Sequence, residues 1–197
     1  MPRILLTRHG ETAWNALGKL QGATDIPLND TGRDQARALA AALRDAAVAA
    51  VWTSDLVRAR ETGEIVAAAL GLAAPGVDPE LRERGFGVFE GLTRHECAAH
   101  HPEAWQAWLA QTGTPPGGEP RGDSAARLGR ALARIAGAGA GTALVISHGA
   151  VMRLWLMEHL GPSVPLIANG VTYLVEHDGA AVRAQLHLRP GPPPQPS

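Results

Sequence analysis

The apolar positions of this chain follow two different periods. The runs RILLT (3–7), VAAVWTS (48–54) and TALVISH (142–148) are apolar at consecutive positions and partly β-branched, the pattern of short strands buried on both faces. Between the first two, TGRDQARALAAALRDAA (31–47) sets Ala36, Leu39, Ala40 and Leu43 on one helical face. DLVRARETGEIVAAALG (55–71) predicts a second helix, stopping at Gly71. Strands alternating with helices need crossover connections, so the expected fold is α/β, a three-layer α/β/α arrangement around a mainly parallel sheet. Residues 92–137 break the alternation: they are helical, interrupted by TGTPPGGEP (112–120), and predict an insertion over one end of the sheet. After a helix around AVMRLWLMEHL, the runs VTYLVEHDGAAVRAQLHL predict a terminal hairpin, hence an antiparallel edge. RPGPPPQPS (189–197) predicts a disordered proline-rich tail behind a single domain at 1–188.

Composition narrows the partners. The 197 residues are 45% hydrophobic, enough for one α/β core and short for two. A formal net charge of −1, with basic residues spread along the chain, argues against a nucleic-acid or membrane-surface partner and for a small one. No apolar run approaches the ~20 residues of a membrane span, and the N-terminus lacks a signal-peptide layout, so the default expectation is cytoplasmic. Cys97 is the single cysteine, excluding an internal disulfide; it is expected to be a buried filler. Oligomeric state is left open, a homodimer included.

The polar residues at the strand ends carry the chemistry. Arg8 and His9 close the first strand, Ser54 to Arg60 follow the second, and Ser147, His148 and Gly149 close the third and lead into a helix. In an open parallel sheet the ligand crevice lies beyond the carboxyl ends of the strands, so these three segments are expected to converge. Together they bring two histidines, at least two arginines and the starts of helices whose N–H groups favour anions. That combination predicts a phosphate site.

The chain resembles the histidine phosphatase (phosphoglycerate mutase-like) superfamily, on RHGETAWN, LQGATDIPLNDTG, TSDLVRARETG, LRERGFGVFEGLT, PPGGE and VISHGAVMR. The similarity runs through all but the tail. It implies His9 as a nucleophile that forms a phosphohistidine. Arg8, Arg58 and His148 would grip the phosphoryl group, and these cations would hold His9 neutral. Asn15, Gln21, Gly22 and Gly149 would complete the phosphate and substrate contacts, with Gly22 acting through its backbone. Glu83 matches the family's proton donor, which protonates the leaving oxygen and then activates water. No metal or cofactor is implied.

Each assignment has a plainer rival. Arg58 competes with Arg60 and with being an exposed helix charge, Asn15 could only cap a short helix, and Gln21 could be a solvated loop residue. Glu80 and Glu90 flank Glu83, and any of the three could be a surface carboxylate. His95, Glu96, His100 and His101 fit no familiar metal-ligand spacing. Trp105 and Trp108 are placed to pack the insertion or to line a pocket. GAGAG (137–141) follows a helix and precedes a strand, the reverse of a dinucleotide loop.

The expected activity is a phosphomonoesterase acting on a small phosphorylated metabolite. A phosphoglycerate mutase is the rival reaction, and a non-catalytic phospho-ligand module the rival class. Gly85 stands where the resembling mutases carry histidine, TGTPPGGEP replaces their arginine-bearing extension, and the C-terminal segment offers only Arg189. These departures predict a more open, less cationic pocket that admits water.

Overall fold

The computed structural model describes residues 2–139, 141–177 and 182–189. Strands β1 (Arg3–Arg8), β2 (Val48–Thr53), β3 (Gly76–Val77), β4 (Thr142–Ser147), β5 (Thr172–His177) and β6 (Val182–Leu188) form one sheet in the order β3-β2-β4-β1-β5-β6. The first four are mutually parallel, β5 runs antiparallel to β1, and β6 pairs antiparallel with β5. The mainly parallel sheet and its antiparallel hairpin edge are as the pattern predicts. Of the His-Asp-Gly turn expected for that hairpin, positions 178 and 179 lie outside the described residues, as does all of the expected tail beyond Arg189. Two-residue β3, too short for any periodicity, was not anticipated.

The continuous apolar runs are explained by helices on both faces. Helices α1 (Ala13–Ala16), α2 (Asp30–Ala42), α3 (Val57–Leu70), α4 (Arg94–His100), α5 (Pro102–Leu109), α6 (Arg121–Gly137) and α7 (Gly149–Leu160) complete the chain, with short 3-10 turns at Pro79–Leu81 and Gly87–Phe89. Successive side chains of a strand point to opposite faces. Accordingly Ile4 and Leu6 of β1 join one core with α6 and α7, while Leu5 joins the other with α2 and α3. Burial of these faces, at roughly 25 cal/mol per Å² of apolar surface, is the main force fixing the layers.

The helix pattern needs one revision. Of the expected insertion at 92–137, α6 is a crossover helix of the sheet: its Ala125, Leu128, Ala131, Leu132 and Ile135 are buried in the same core as Val145 of β4 and Met152 of α7. Their spacing by three and four residues makes the apolar stripe that a sheet face demands. What remains, α4 and α5, carries a separate small core of Phe86, Phe89, Cys97 and Trp105, with Leu20 and Trp108 against it. Cys97 is a buried filler there. Trp105 packs edge-on to Phe89.

Candidate active site

A cavity of about 390 Å³ opens beyond the carboxyl end of β1. Its wall includes Arg8, His9, Asn15, Gln21, Gly22, Arg58, Glu83 and Gly149. Of the residues expected in the site, only His148 is absent from the wall. It lies fully buried one layer beneath, its ring centroid 5.0 Å from that of His9.

His9 is set by its backbone. Its Nδ1 lies 2.6 Å from the Gly10 carbonyl oxygen, which can only accept. Nδ1 therefore carries the proton, and the lone pair of the neutral ring is on Nε2. Burial, then the charges of Arg8 and of Arg58, hold the His9 pKa well below the usual 6.5. Asn169, which the sequence did not flag, donates to the His9 carbonyl at 2.9 Å and to Asn15 Oδ1 at 3.2 Å, tying the loop after α7 to the end of β1. His148 Nε2 pairs with Ser54 Oγ at 2.7 Å, leaving its buried Nδ1 without a partner among the described residues. Burial, then Arg58, His9 and Arg8, keep His148 neutral as well.

Two arginines enter from opposite sides. Arg8 Nη1 donates to Ile167 O at 2.6 Å and its Nε has no acceptor among the described residues. The guanidinium passes so close to Gly149 that a Cβ there would stand 3.1 Å from Arg8 Nε, which is the demand that glycine meets. Arg58, on the first turn of α3, is fully buried, so the exposed-helix reading is excluded. It donates from Nη1 to Thr24 O and from Nη2 to Gly22 O, both at 2.8 Å, and its Nε has no partner among the described residues. Gly22 adopts φ +55, and a Cβ would strike Glu90 Oε1 at 2.1 Å. Glu90 itself accepts from the N–H groups of Ala23, Thr24 and Phe86, bracing this loop from behind.

The three glutamates separate by place. Glu80 pairs with Arg130 and Arg134 of α6, and Glu90 braces the loop. Glu83 alone of the three lines the cavity, accepting from the N–H groups of Val151 at 2.9 Å, Ala150 at 3.0 Å and Arg84 at 2.8 Å. This changes one expectation. Two of the N–H groups at the start of α7, those of Ala150 and Val151, already hold the Glu83 carboxyl, and Asp25 takes that of Val57 at the start of α3 at 2.7 Å. Among the described residues, the buried side-chain donors left without an acceptor are Arg8 Nε, Arg58 Nε and Arg84 Nη2, with His148 Nδ1 buried alongside. Buried donors without acceptors are costly, by about 1–3 kcal/mol each, unless an anionic ligand satisfies them. Asn15 serves both of its readings: its Oδ1 closes the capping box of α1 with Thr12, and the residue also faces the cavity. Gln21 is buried, its Oε1 without a partner among the described residues.

The outer wall is itself cationic. Lys19, Arg84, Arg94, Arg121 and Arg153 line it, and Glu83 is the one carboxylate of the lining. These cations come from five separate segments, each unremarkable in sequence. Arg84 is 2% exposed and lies 4.6 Å above the Trp108 ring; burial, more than neighbouring Arg121, lowers its pKa to about 10. Trp108 thus lines the pocket while Trp105 packs. Exposed Arg94, Leu109, Gln111 and Leu166 form the mouth. Among the described residues no group of three or more His, Cys, Asp or Glu side chains is arranged to hold a metal, and no helix is long and apolar enough to cross a membrane.

A two-layered floor of neutral histidines with buried Arg58 and half-buried Arg8, beyond the ends of parallel strands, has the charge and donors to receive an anionic group. The chain belongs to the histidine phosphatase superfamily (branch 1), whose pattern matches residues 4–183. Over 165 residues it is 40% identical to phosphoglycerate mutase-like protein 4 of Arabidopsis thaliana, covering 81% of this chain and 71% of that protein. It is 38% identical over 155 residues to the metal-independent phosphoserine phosphatase of Arabidopsis thaliana, covering 76% and 65%. Among solved structures, mycobacterial glucosyl-3-phosphoglycerate phosphatase Rv2419c in complex with VO3 superposes with a TM-score of 0.84 at 29% identity, over 96% of this chain and 99% of that one.

Proposed function

We propose that this protein is a metal-independent phosphomonoesterase that works through a phosphohistidine on His9. The observation that carries the reading is the His9 tautomer: a neutral, buried ring whose Nε2 lone pair is free beside unfilled arginine donors. Nε2 attacks phosphorus, and the P–O bond to the leaving group breaks. Glu83 gives its proton to the departing oxygen. In the second step Glu83 takes a proton from water as that water attacks phosphorus. The P–N bond breaks, and its electron pair returns to Nε2. Arg8 and Arg58 neutralise the charge spread over the equatorial oxygens, the chief demand of phosphoryl transfer, and His148 backs them from beneath as a neutral hydrogen-bonding group.

A binding module would use the arginines but has no need of a free Nε2 or of an aligned carboxyl. The mutase uses the same first step and differs in the acceptor. A mutase must keep its phosphohistidine dry. The exposed residues at the mouth support water as acceptor here. The cationic outer wall supports substrates that carry a second acidic group on the leaving alcohol. The relatives carry both kinds of name, so the test is direct. Given 3-phosphoglycerate with a trace of 2,3-bisphosphoglycerate, the protein is expected to release inorganic phosphate faster than it forms 2-phosphoglycerate. Isomerisation outrunning phosphate release would make it a mutase.

A further inference from the structure

The PPGGE segment and the residue eight positions after its glutamate have no part in the site as described, yet they hold the strand of chain that carries Glu83. Arg127, on α6, uses all five of its N–H donors. Nε and Nη2 form a fork on Glu119 Oε1 and Oε2 at 2.7 and 2.9 Å. Nη1 donates to the carbonyls of Glu80 and Arg82 at 2.8 and 2.6 Å, and Nη2 also to that of Glu83 at 3.0 Å. Glu119 grips the same strand from its other end. Its N–H donates to Gly85 O at 2.9 Å, its carbonyl accepts from Arg84 Nε at 2.7 Å, and Phe86 pairs with Gly118. Residues 80–86 are otherwise irregular, with one short 3-10 turn. Neither Arg127 nor Glu119 lines the cavity.

We infer that Arg127 and Glu119 are positioning residues for proton transfer: their clamp fixes the 82–86 backbone so that the Glu83 carboxyl meets the leaving oxygen and Arg84 faces the outer pocket. The inference rests on Glu83 being the acid of the proposed reaction. An arginine that only stiffened the fold would need no more than the fork to Glu119. Three further bonds to the carbonyls of residues 80, 82 and 83 address this segment specifically, and a guanidinium matches them in a way an ammonium cannot. Misplacement of a reacting group by about an ångström costs up to roughly 100-fold in rate.

The test uses Arg127→Lys and Glu119→Gln, which keep size and, for Arg127, charge, beside Glu83→Gln as reference. Single-turnover phosphoenzyme formation is measured with p-nitrophenyl phosphate, whose leaving group scarcely needs a proton, and with an alkyl phosphate, whose leaving group does. Both clamp variants should slow the alkyl ester by roughly 10- to 100-fold and p-nitrophenyl phosphate little, with vanadate inhibition unchanged. Arg127→Lys added to Glu83→Gln should slow nothing further. Equal slowing of both esters by the clamp variants, including through lost folding, would overturn the inference where Glu83→Gln still discriminates between them. Failure of Glu83→Gln itself to discriminate would overturn the acid assignment, and the positioning role with it.

Discussion

The inner and outer parts of the cavity are built on different rules. The inner floor of Arg8, His9, Arg58 and His148 stands at or just beyond strand ends, is buried but for half-buried Arg8, and is fixed by bonds to backbone carbonyls and to Ser54. The outer wall of Lys19, Arg94, Arg121 and Arg153 is half-buried or exposed and comes from loops and helix surfaces. In the proposed reaction the floor meets one invariant group, a tetrahedral dianion. The wall can change a charge without disturbing the sheet, so discrimination between leaving alcohols belongs there. Arg84 stands between the two, buried like the floor but facing the outer pocket.

The comparison breaks most visibly at Arg58. Arg58→Ala should lower kcat/KM by roughly 10²- to 10³-fold for every phosphomonoester, because it removes a buried donor to the phosphoryl oxygens and frees the carbonyls of Gly22 and Thr24. Steady-state kinetics over a panel of esters checks this; a loss confined to some leaving groups would move Arg58 to the outer wall. Arg121→Ala should act the other way round. It should raise KM by up to about fivefold for esters with a second acidic group, an exposed ion pair being worth about 1 kcal/mol or less, and leave p-nitrophenyl phosphate unchanged. A uniform loss would erase the division between floor and wall.

The smallest effect is on stability, and it sharpens the electrostatic side. His9 and His148 have folded pKa values held below 6.5 by burial first and the arginines second. Below about pH 6.5 the unfolded chain binds protons that the folded one refuses. Stability is therefore unaffected by these groups above that pH and falls as pH drops through 6.5 toward the folded values. Each contributes a slope of up to about 1.4 kcal/mol per pH unit. Urea unfolding at pH 7.5 and 5.5 should show a smaller acid loss for His9→Gln than for the parent chain. Identical losses would mean that His9 is not held neutral.

The floor was legible in sequence because each of its residues sits next to an apolar run in a short motif, and strand ends in a parallel sheet have only one place to meet. The wall was not. Arg121 and Arg153 read as helix surface charges, and only the packing of α4 and α5 on Phe86 and Phe89 brings their neighbours Trp108 and Leu109 over the site. Asn169 lies in a loop with no periodicity. The filling of the α7 N-terminus by Glu83 is a pairing across 67 residues, invisible to local pattern. The place of α6 is not legible either, because TGTPPGGEP reads as an interruption within an insertion. Its Glu119 instead pairs with Arg127 of α6 and bonds the 84–86 segment.

The central claim is the covalent step at His9, and one measurement addresses it most directly. Rapid quench in alkali after mixing with a phosphomonoester radiolabelled on phosphorus should trap an acid-labile, base-stable label on the protein. Peptide mapping should locate it on His9, and His9→Ala should carry none and turn over nothing while keeping its far-ultraviolet circular dichroism. Label on another residue, or turnover by His9→Ala at the parent rate, would contradict the account.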